Sequence, residues 1–184
     1  METSLFLFPL PPLEPPPERA VVVALLAEAG LLGAPLEGDR YQAGSGFFRY
    51  ITFAGCSPRL VLEPPAEGGW AFTHLRLRQE APPRLRITPR RSRPRCPGCG
   101  APVADWKTAF QSWRRDATQV VTCAACGGEH AVAELDWRRY GVAARLLVEV
   151  TRVWPGEAVP YEGLLQRLEA GTGRPWGHAW AAAE

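Results

Sequence analysis

The spacing of apolar residues predicts two amphipathic helices, over residues 18–32 and 161–170. In each segment, apolar side chains recur at intervals of three and four residues, which places them on one helical face. The two stripes are Val22, Leu25, Leu26 and Ala29 in the first helix, and Tyr161, Leu164, Leu165 and Leu168 in the second. Glycines at Gly33 and Gly171 are typical stop signals. The pattern therefore predicts two helices long enough to cover one face of a sheet.

Runs of aromatic, β-branched and aliphatic residues predict strands on both sides of these helices. Residues 47–53 form the run richest in aromatic and β-branched side chains. In residues 70–78, apolar and polar positions alternate, which is typical of an antiparallel strand with one partly wet face. The predicted strands cover residues 4–8, 47–53, 60–62, 70–78, 131–137, 146–154 and 175–180. This order predicts an α+β fold: a twisted antiparallel or mixed sheet with two helices on one face, for which a ferredoxin-like arrangement is one candidate topology.

Two cysteine pairs interrupt this pattern, and each is followed directly by a glycine. They are Cys96-Pro97-Gly98-Cys99 before Gly100 and Cys123-Ala124-Ala125-Cys126 before Gly127. A Cys-x-x-Cys turn directs both sulfurs at one ion, so two turns supply a tetrahedral set of four thiolates. A glycine after each turn suits a chain that passes the ion with φ > 0. The spacing and the glycines resemble the two knuckles of the zinc-ribbon family over residues 94–130. This resemblance implies one structural Zn²⁺ held by all four cysteines.

Iron binding and disulfide bonds are alternatives to zinc binding for these cysteines. Iron is the main rival, because the rubredoxin family also holds its metal between two knuckles with four thiolates. Four thiolates leave no open coordination position, so a catalytic zinc is not expected. His130 could replace one sulfur, although a surface histidine is the simpler expectation. Disulfides would require an oxidising compartment, and the first residues lack the basic segment of an export signal. A cytoplasmic location is therefore expected, with Cys56 as a buried free cysteine.

The formal net charge of +2 conceals a basic segment. Residues 84–115 carry nine basic residues and one acidic residue, whereas the rest of the chain carries 12 basic and 18 acidic residues. Positive charge is therefore concentrated at the cysteine pairs and the segment leading to them. Only one of the 21 basic residues is lysine, a bias typical of a GC-rich bacterial genome, which weakens any inference from arginine counts alone.

Aromatic and basic residues are interspersed between the two cysteine pairs, and further arginines precede the first pair. Aromatic rings stack on bases and cations neutralise phosphates, so this composition predicts a nucleic-acid-binding surface. The predicted binding residues are Arg90, Arg91, Arg93, Arg95, Trp106, Lys107, Trp113, Arg114 and Arg115. The alternative is that the tryptophans pack the ribbon onto the rest of the chain and that some arginines offset the negative charge of the metal centre.

The predicted organisation is one α+β domain, residues 1–83 and 138–184, interrupted at residues 84–137 by the basic segment and the ribbon. No catalytic constellation is evident: His74 and His178 are expected at the surface, and Gly44-Ser45-Gly46 lacks the remaining residues of a nucleotide-binding loop. The protein is therefore not expected to be an enzyme or to take a small-molecule substrate. No run of eighteen apolar residues is present, so no membrane span is predicted.

Two functions are favoured by these observations, ahead of a third, a redox carrier that holds iron between the knuckles. The first is a non-enzymatic bacterial zinc-ribbon protein that binds nucleic acid through the basic and aromatic residues of the ribbon. The alternative is an accessory or adaptor protein that docks a protein partner through the ribbon and the aromatic residues near the C-terminus. Those aromatic residues are Trp154, Tyr161, Trp176 and Trp180.

Overall fold

A computed structural model describes residues 2–54, 60–88, 90–114, 116 and 118–183. Two residues singled out by the sequence, Cys56 and Arg115, lie outside this part of the chain. The helices are α1 (Arg19–Glu28), α2 (Phe47–Tyr50), α3 (Trp106–Trp113) and α4 (Glu162–Thr172), with a 3₁₀ turn at Val132–Glu134. The strands are β1 (Thr3–Pro9), β2 (Leu32–Pro35), β3 (Arg40–Ala43), β4 (Ile51–Phe53), β5 (Leu75–Gln79), β6 (Arg86–Ile87), β7 (Val120–Thr122), β8 (Glu129–Ala131), β9 (Gly141–Val142), β10 (Leu146–Val150), β11 (Ala158–Pro160) and β12 (Trp176–Ala182).

Six strands form one open antiparallel sheet in the order β12–β1–β10–β5–β3–β2. The long strand β1 pairs with β12 on one side and β10 on the other, so that Leu5 lies opposite both Trp180 and Val150. Helix α1 follows β1 and α4 follows β10, which gives the four strands β12–β1–β10–β5 the β-α-β-β-α-β arrangement of a ferredoxin-like sheet. The predicted α+β class is confirmed. The hairpin β2–β3 lengthens the sheet beyond β5.

The cysteine pairs lie in an insertion between β5 and β10, two strands that are neighbours in the sheet. Strands β6 and β9 pair at the base of this insertion, with Arg86 opposite Val142. Strands β7 and β8 form a short hairpin within it. The two ends of the insertion therefore meet beside the sheet, although the predicted domain division at residues 84–137 stays a prediction.

The two long helices pack side by side on one face of the sheet. Their buried residues are Val22 and Leu26 in α1 and Leu164 and Leu168 in α4. Gly171 lies inside α4 at the contact with α1, where a Cβ atom would approach Leu25 Cδ1 to 2.4 Å. The helix ends at Gly173, whose φ of 68° is left-handed. Gly171 therefore permits the close approach of the helices, and Gly173 provides the stop signal.

The opposite face of the sheet is largely buried over β1 and β10, whereas Arg76 and Arg78 on β5 keep part of it exposed, as the alternation over residues 70–78 predicts. Glu149 on β10 is 1% exposed and accepts hydrogen bonds from Arg78 Nε at 2.7 Å and from Ser4 Oγ at 2.8 Å. Apolar residues complete this layer: Phe6, Val142, Ala144, Leu147, Ala179 and Ala181. Because Val142 belongs to the base of the insertion, the insertion itself helps to close this face.

The segment 47–53 was expected to be one strand, and this prediction is wrong in its first half. It begins as the helical turn α2 and continues as β4, which pairs with β11 rather than with the main sheet. The chain passes very close to the end of α1 just before this turn, since a Cβ atom on Gly44 would lie 2.1 Å from Gly30 O. Strand propensity depends strongly on packing context, so the aromatic run did not determine the backbone here.

Other predicted strands are shorter than expected. Residues 60–62 form no strand, and the strand predicted over 70–78 begins only at Leu75. Residues 132–134, expected within a strand, form the 3₁₀ turn after β8. Among the described residues, no helix has both the length and the apolar character that crossing a bilayer requires.

Candidate metal centre

The two Cys-x-x-Cys turns have the same backbone geometry. The Gly100 N–H donates to Cys96 O, and the Gly127 N–H donates to Cys123 O, both at 2.8 Å. Each of these glycines is left-handed, with φ of 73° and 72°. The expectation of a positive φ directly after each pair is therefore confirmed, and a residue with a Cβ atom would be strained there.

A second set of hydrogen bonds fixes the first cysteine of each pair. The Cys96 N–H donates to Ala101 O and the Cys123 N–H donates to Gly128 O, again both at 2.8 Å. These first cysteines are buried, whereas the second of each pair, Cys99 and Cys126, are exposed. The two turns are thus matching knuckles with their sulfurs directed toward a common point.

The four sulfur atoms all lie within 4.8 Å of one another. Between the knuckles, Cys96 Sγ is 3.8 Å from Cys126 Sγ, and Cys99 Sγ is 3.7 Å from Cys123 Sγ. Tetrahedral coordination with a zinc–sulfur distance of about 2.3 Å places neighbouring sulfurs about 3.8 Å apart. The cluster therefore has the dimensions of a four-thiolate metal site, and this donor set suits zinc and also iron.

The pKa values of two of the four thiols are shifted in opposite directions. Backbone N–H groups of Cys126 and Ala125 lower the pKa of Cys123 to about 7. At Cys99, the Ala101 N–H also lowers the pKa, but hydrogen bonding with the neighbouring cysteine sulfurs and burial outweigh it and raise the pKa to about 12. Cys123 is thus more readily ionised than Cys99. A bound metal ion would favour the thiolate form of its ligands.

His130 lies beside the cluster rather than on an open surface. Its Nε2 is 3.3 Å from Cys96 Sγ, and the side chain is half-buried. Glycines leave room for the ring, since a Cβ atom on Gly128 would lie 3.1 Å from His130 Nε2. In this position the imidazole can donate a hydrogen bond to a thiolate, as residues around metal ligands commonly do. The sequence predicts an ordinary surface histidine and not this contact. Gly128, which leaves space for the ring, is the feature of the sequence that points to it.

Exposed arginines alternate with buried residues immediately before the first knuckle. The exposed ones are Arg91, Arg93 and Arg95, which we call the basic stripe, and the buried ones are Ser92, Pro94 and Cys96. Each guanidinium group donates to a backbone carbonyl: Arg91 Nη1 to Pro155 O at 3.1 Å, Arg93 Nη1 to Ser92 O at 2.7 Å, and Arg95 Nη1 to Gly100 O at 2.8 Å. No carboxylate pairs with the stripe in the described part of the chain. Its positive charge is oriented but not neutralised.

Three further predicted binding residues are also basic and exposed. Arg90, Lys107 and Arg114 are exposed. A shallow cavity of about 410 Å³ is lined by Arg93, Lys107, Pro94, Pro102 and the edge of Trp106, among others. The Lys107 ammonium lies 5.9 Å from the centre of the Trp106 ring. Two cationic side chains from separate parts of the insertion therefore meet at one concave surface.

The two tryptophans predicted to contact nucleic acid are buried. Trp106 is 6% exposed and Trp113 is 7% exposed. Trp106 packs edge-to-face on Trp137, with ring centres 5.7 Å apart. A buried ring face is not available to stack on a base, so the structure corrects this part of the prediction. The alternative assigned these tryptophans to packing, and both lie in a buried cluster with Leu135 and Trp137, which is mostly within the insertion.

The other two histidines also differ from expectation. His74 is 4% exposed, its Nδ1 lies 2.9 Å from Phe72 O, and burial lowers its pKa. His178 is half-buried on β12, where burial and then the nearby Arg139 lower its pKa to about 4. Both imidazoles are therefore neutral at physiological pH. The prediction that they are ordinary surface residues is wrong because exposure depends on tertiary packing.

Comparison of the chain with protein-family models, with curated proteins and with solved structures finds no match in any of the three. The zinc-ribbon resemblance therefore rests on the knuckles themselves.

Proposed function

We propose that this protein binds nucleic acid through the basic face of a ribbon held together by one structural Zn²⁺. The main support for this proposal is the alternation of exposed and buried residues over 91–96. Three arginines are exposed to solvent, and the residues between them are buried. Arg91 lies in a turn, in which the N–H groups of Arg91 and Ser92 both donate to Thr88 O, and Arg93 and Arg95 follow it. The stripe therefore presents three exposed cations close together in the chain, which suit contacts with phosphates.

The metal centre and the stripe are adjacent in this proposal. Arg95 directly precedes the ligand Cys96, and its guanidinium donates to Gly100 O within the same knuckle. Ordering the knuckle therefore also orders this arginine. The thiolates occupy all four positions of a tetrahedral ion, so the metal has a structural role and no catalytic step is assigned to it.

Contacts with phosphates would dominate recognition. The aromatic rings that would stack on bases are buried, whereas Arg93 and Lys107 converge on the shallow cavity. Phosphate contacts fix position and carry little sequence information. We therefore expect binding with weak sequence preference and strong salt dependence.

Replacing the basic stripe tests this function. We expect the triple variant Arg91→Gln, Arg93→Gln, Arg95→Gln to bind single-stranded oligonucleotides about 100-fold more weakly at 0.1 M salt, because each lost phosphate contact contributes about 0.7 to the salt exponent. The slope of log K against log salt should become shallower by about 2 for the same reason. Fluorescence anisotropy with labelled 12-residue DNA and RNA strands measures both quantities.

A charge-matched control is available elsewhere on the chain. The triple variant Arg19→Gln, Arg49→Gln, Arg167→Gln removes the same charge from α1, α2 and α4, and should leave most of the affinity intact. Equal losses in the two triple variants would indicate a general charge effect. The absence of binding by the unmodified protein at low salt would contradict the proposed function itself.

Docking of a protein partner is the second candidate function. Trp154 is 69% exposed and Tyr161 is 55% exposed, and Phe48 adds a third exposed aromatic residue. Trp176 and Trp180, counted with them in the sequence, are buried and do not belong to this exposed aromatic set. Large exposed aromatic residues are common anchors of protein interfaces. Salt-insensitive binding of one purified partner that depends on Trp154, without any oligonucleotide binding, would favour this candidate.

A further inference from the structure

Strand β12 is an edge of the main sheet, and alternate residues turn their backbone groups away from β1. The Leu10 N–H donates to Pro175 O at 2.8 Å, and the Ala183 N–H donates to Glu2 O at 2.9 Å. In an antiparallel pair, hydrogen-bonded and non-hydrogen-bonded pairs alternate. The odd-numbered residues of β12 therefore bond to β1. The outward-facing residues are Trp176, His178, Trp180 and Ala182.

Within the described chain, the outward backbone groups of β12 are hydrogen-bonded at Trp180 but not at Trp176 and His178. The Trp180 N–H donates to Arg139 O at 2.8 Å, and Trp180 O accepts from Thr88 Oγ1 at 3.0 Å. The outward backbone groups of Trp176 and His178 have no such partner in the part of the chain that the structure describes. Unpaired groups on a sheet edge are a template for another strand.

A groove of about 780 Å³ runs along the open part of β12, and we call it the edge groove. Its apolar lining comes from separate parts of the chain and includes Leu13, Trp137, Leu165 and Trp176. His178 and Ala179 both line it, and their side chains point to opposite faces of the sheet. The groove therefore follows the strand edge and reaches both of its faces, with space for side chains on either side.

Two cations at the edge groove have no acidic partner among the residues that the structure describes. Arg138 and Arg139 line it, and both have a left-handed backbone, with φ of 52° and 65°. Non-glycine residues rarely adopt this conformation. The three acidic residues of the groove are otherwise engaged: Glu14 pairs with Arg174 at 3.5 Å, Glu134 Oε2 accepts from the Ala131 N–H at 3.2 Å, and Asp136 Oδ1 accepts from the Arg138 N–H at 2.9 Å.

We propose that the edge groove binds an extended peptide segment of a partner protein, which adds to β12 as a further strand and places an acidic side chain against Arg138 and Arg139. Backbone N–H and C=O groups at strand spacing are matched by another extended backbone, and alternate side chains of the peptide enter the apolar space on each face. The proposal is independent of nucleic-acid binding, since the basic stripe is a different set of residues.

Peptide selection on the full-length, metal-loaded protein tests this proposal. A random nine-residue display library should yield sequences in which apolar residues alternate and an Asp or Glu recurs at one position. The affinity of a selected peptide should fall about tenfold or more in Arg139→Glu, because the acidic side chain then meets a like charge. Arg167→Glu, on the exposed side of α4, is the matched control and should retain full affinity.

Amide hydrogen exchange by NMR locates the peptide without any substitution. Binding should slow exchange at the Trp176 and His178 amides, while Gly177 and Ala179, which already bond to β1, should change little. His178→Pro removes an outward donor without removing a bond to β1, and should weaken binding by about tenfold. Failure to enrich any peptide, or binding that leaves the two amides unprotected, would overturn the proposal. Protection of the same amides by an oligonucleotide instead of a peptide would also overturn it.

Discussion

Replacing Cys126 with Ser is expected to abolish tight metal binding and to unfold the two knuckles and the β7–β8 hairpin, while the six-stranded sheet stays folded. Strands β7 and β8 are three residues each, and the knuckles have almost no apolar residues of their own. Order in this region therefore depends on the bond between metal and thiolates, which can contribute on the order of 10 kcal/mol or more. The sheet has a separate core on both of its faces.

Metal content and hydrogen exchange measure these two effects separately. The variant should retain well under one equivalent of zinc and should lose amide protection in β7 and β8 but not in β1 or β10. Ala125→Ser is the matched control, since it changes an exposed residue of the same knuckle and should bind metal normally. Full metal content in Cys126→Ser, or an unchanged pattern of protection after metal loss, would be incompatible with a four-thiolate centre.

Replacing Trp106 with Ala is expected to lower the free energy of unfolding by about 3–5 kcal/mol, as is usual when a large buried aromatic residue is truncated. The ring is 6% exposed and makes an edge-to-face contact with Trp137. The same cluster contains Trp113, Val132 and Leu135, so the loss should spread through the insertion. Urea denaturation of the metal-loaded protein gives the magnitude.

The surface tryptophan Trp154 provides the control for this substitution. It is 69% exposed, so Trp154→Ala should change the free energy of unfolding by about 0.5 kcal/mol or less. If Trp106→Ala instead left stability unchanged and abolished oligonucleotide binding, the ring would be a binding residue and its assignment to the core would be wrong.

The four-cysteine cluster was predictable from the sequence because its determinants are local. The cysteine spacing sets the turn, and the glycine after each pair meets a backbone requirement that the structure confirms at Gly100 and Gly127. The helices α1 and α4 were predictable for a similar reason, since their apolar stripes repeat within a few residues. Each of these features depends on side chains close together in the chain.

Features that depend on contacts between distant segments were not predictable. His130 reaches Cys96 only because the β7–β8 hairpin folds back on the first knuckle. The burial of Trp106 depends on Trp137, which follows the second knuckle. The unpaired part of the β12 edge depends on the register of β12 with β1. It also depends on the hydrogen bond from the Trp180 N–H to Arg139 O, beyond which the described edge is unpaired. Contacts between such distant segments cannot be inferred from a single sequence.

The most direct test of whether a metal centre positions a nucleic-acid-binding stripe is the oligonucleotide affinity of the same protein with and without metal. The zinc-loaded protein should bind single-stranded oligonucleotides with an affinity that falls steeply as salt rises. Removing the metal with a chelator should weaken binding by about tenfold or more, and adding zinc back should restore it, because knuckle order and metal binding are coupled. Equal affinity in both forms, or no binding in either, would contradict the role proposed for the ribbon.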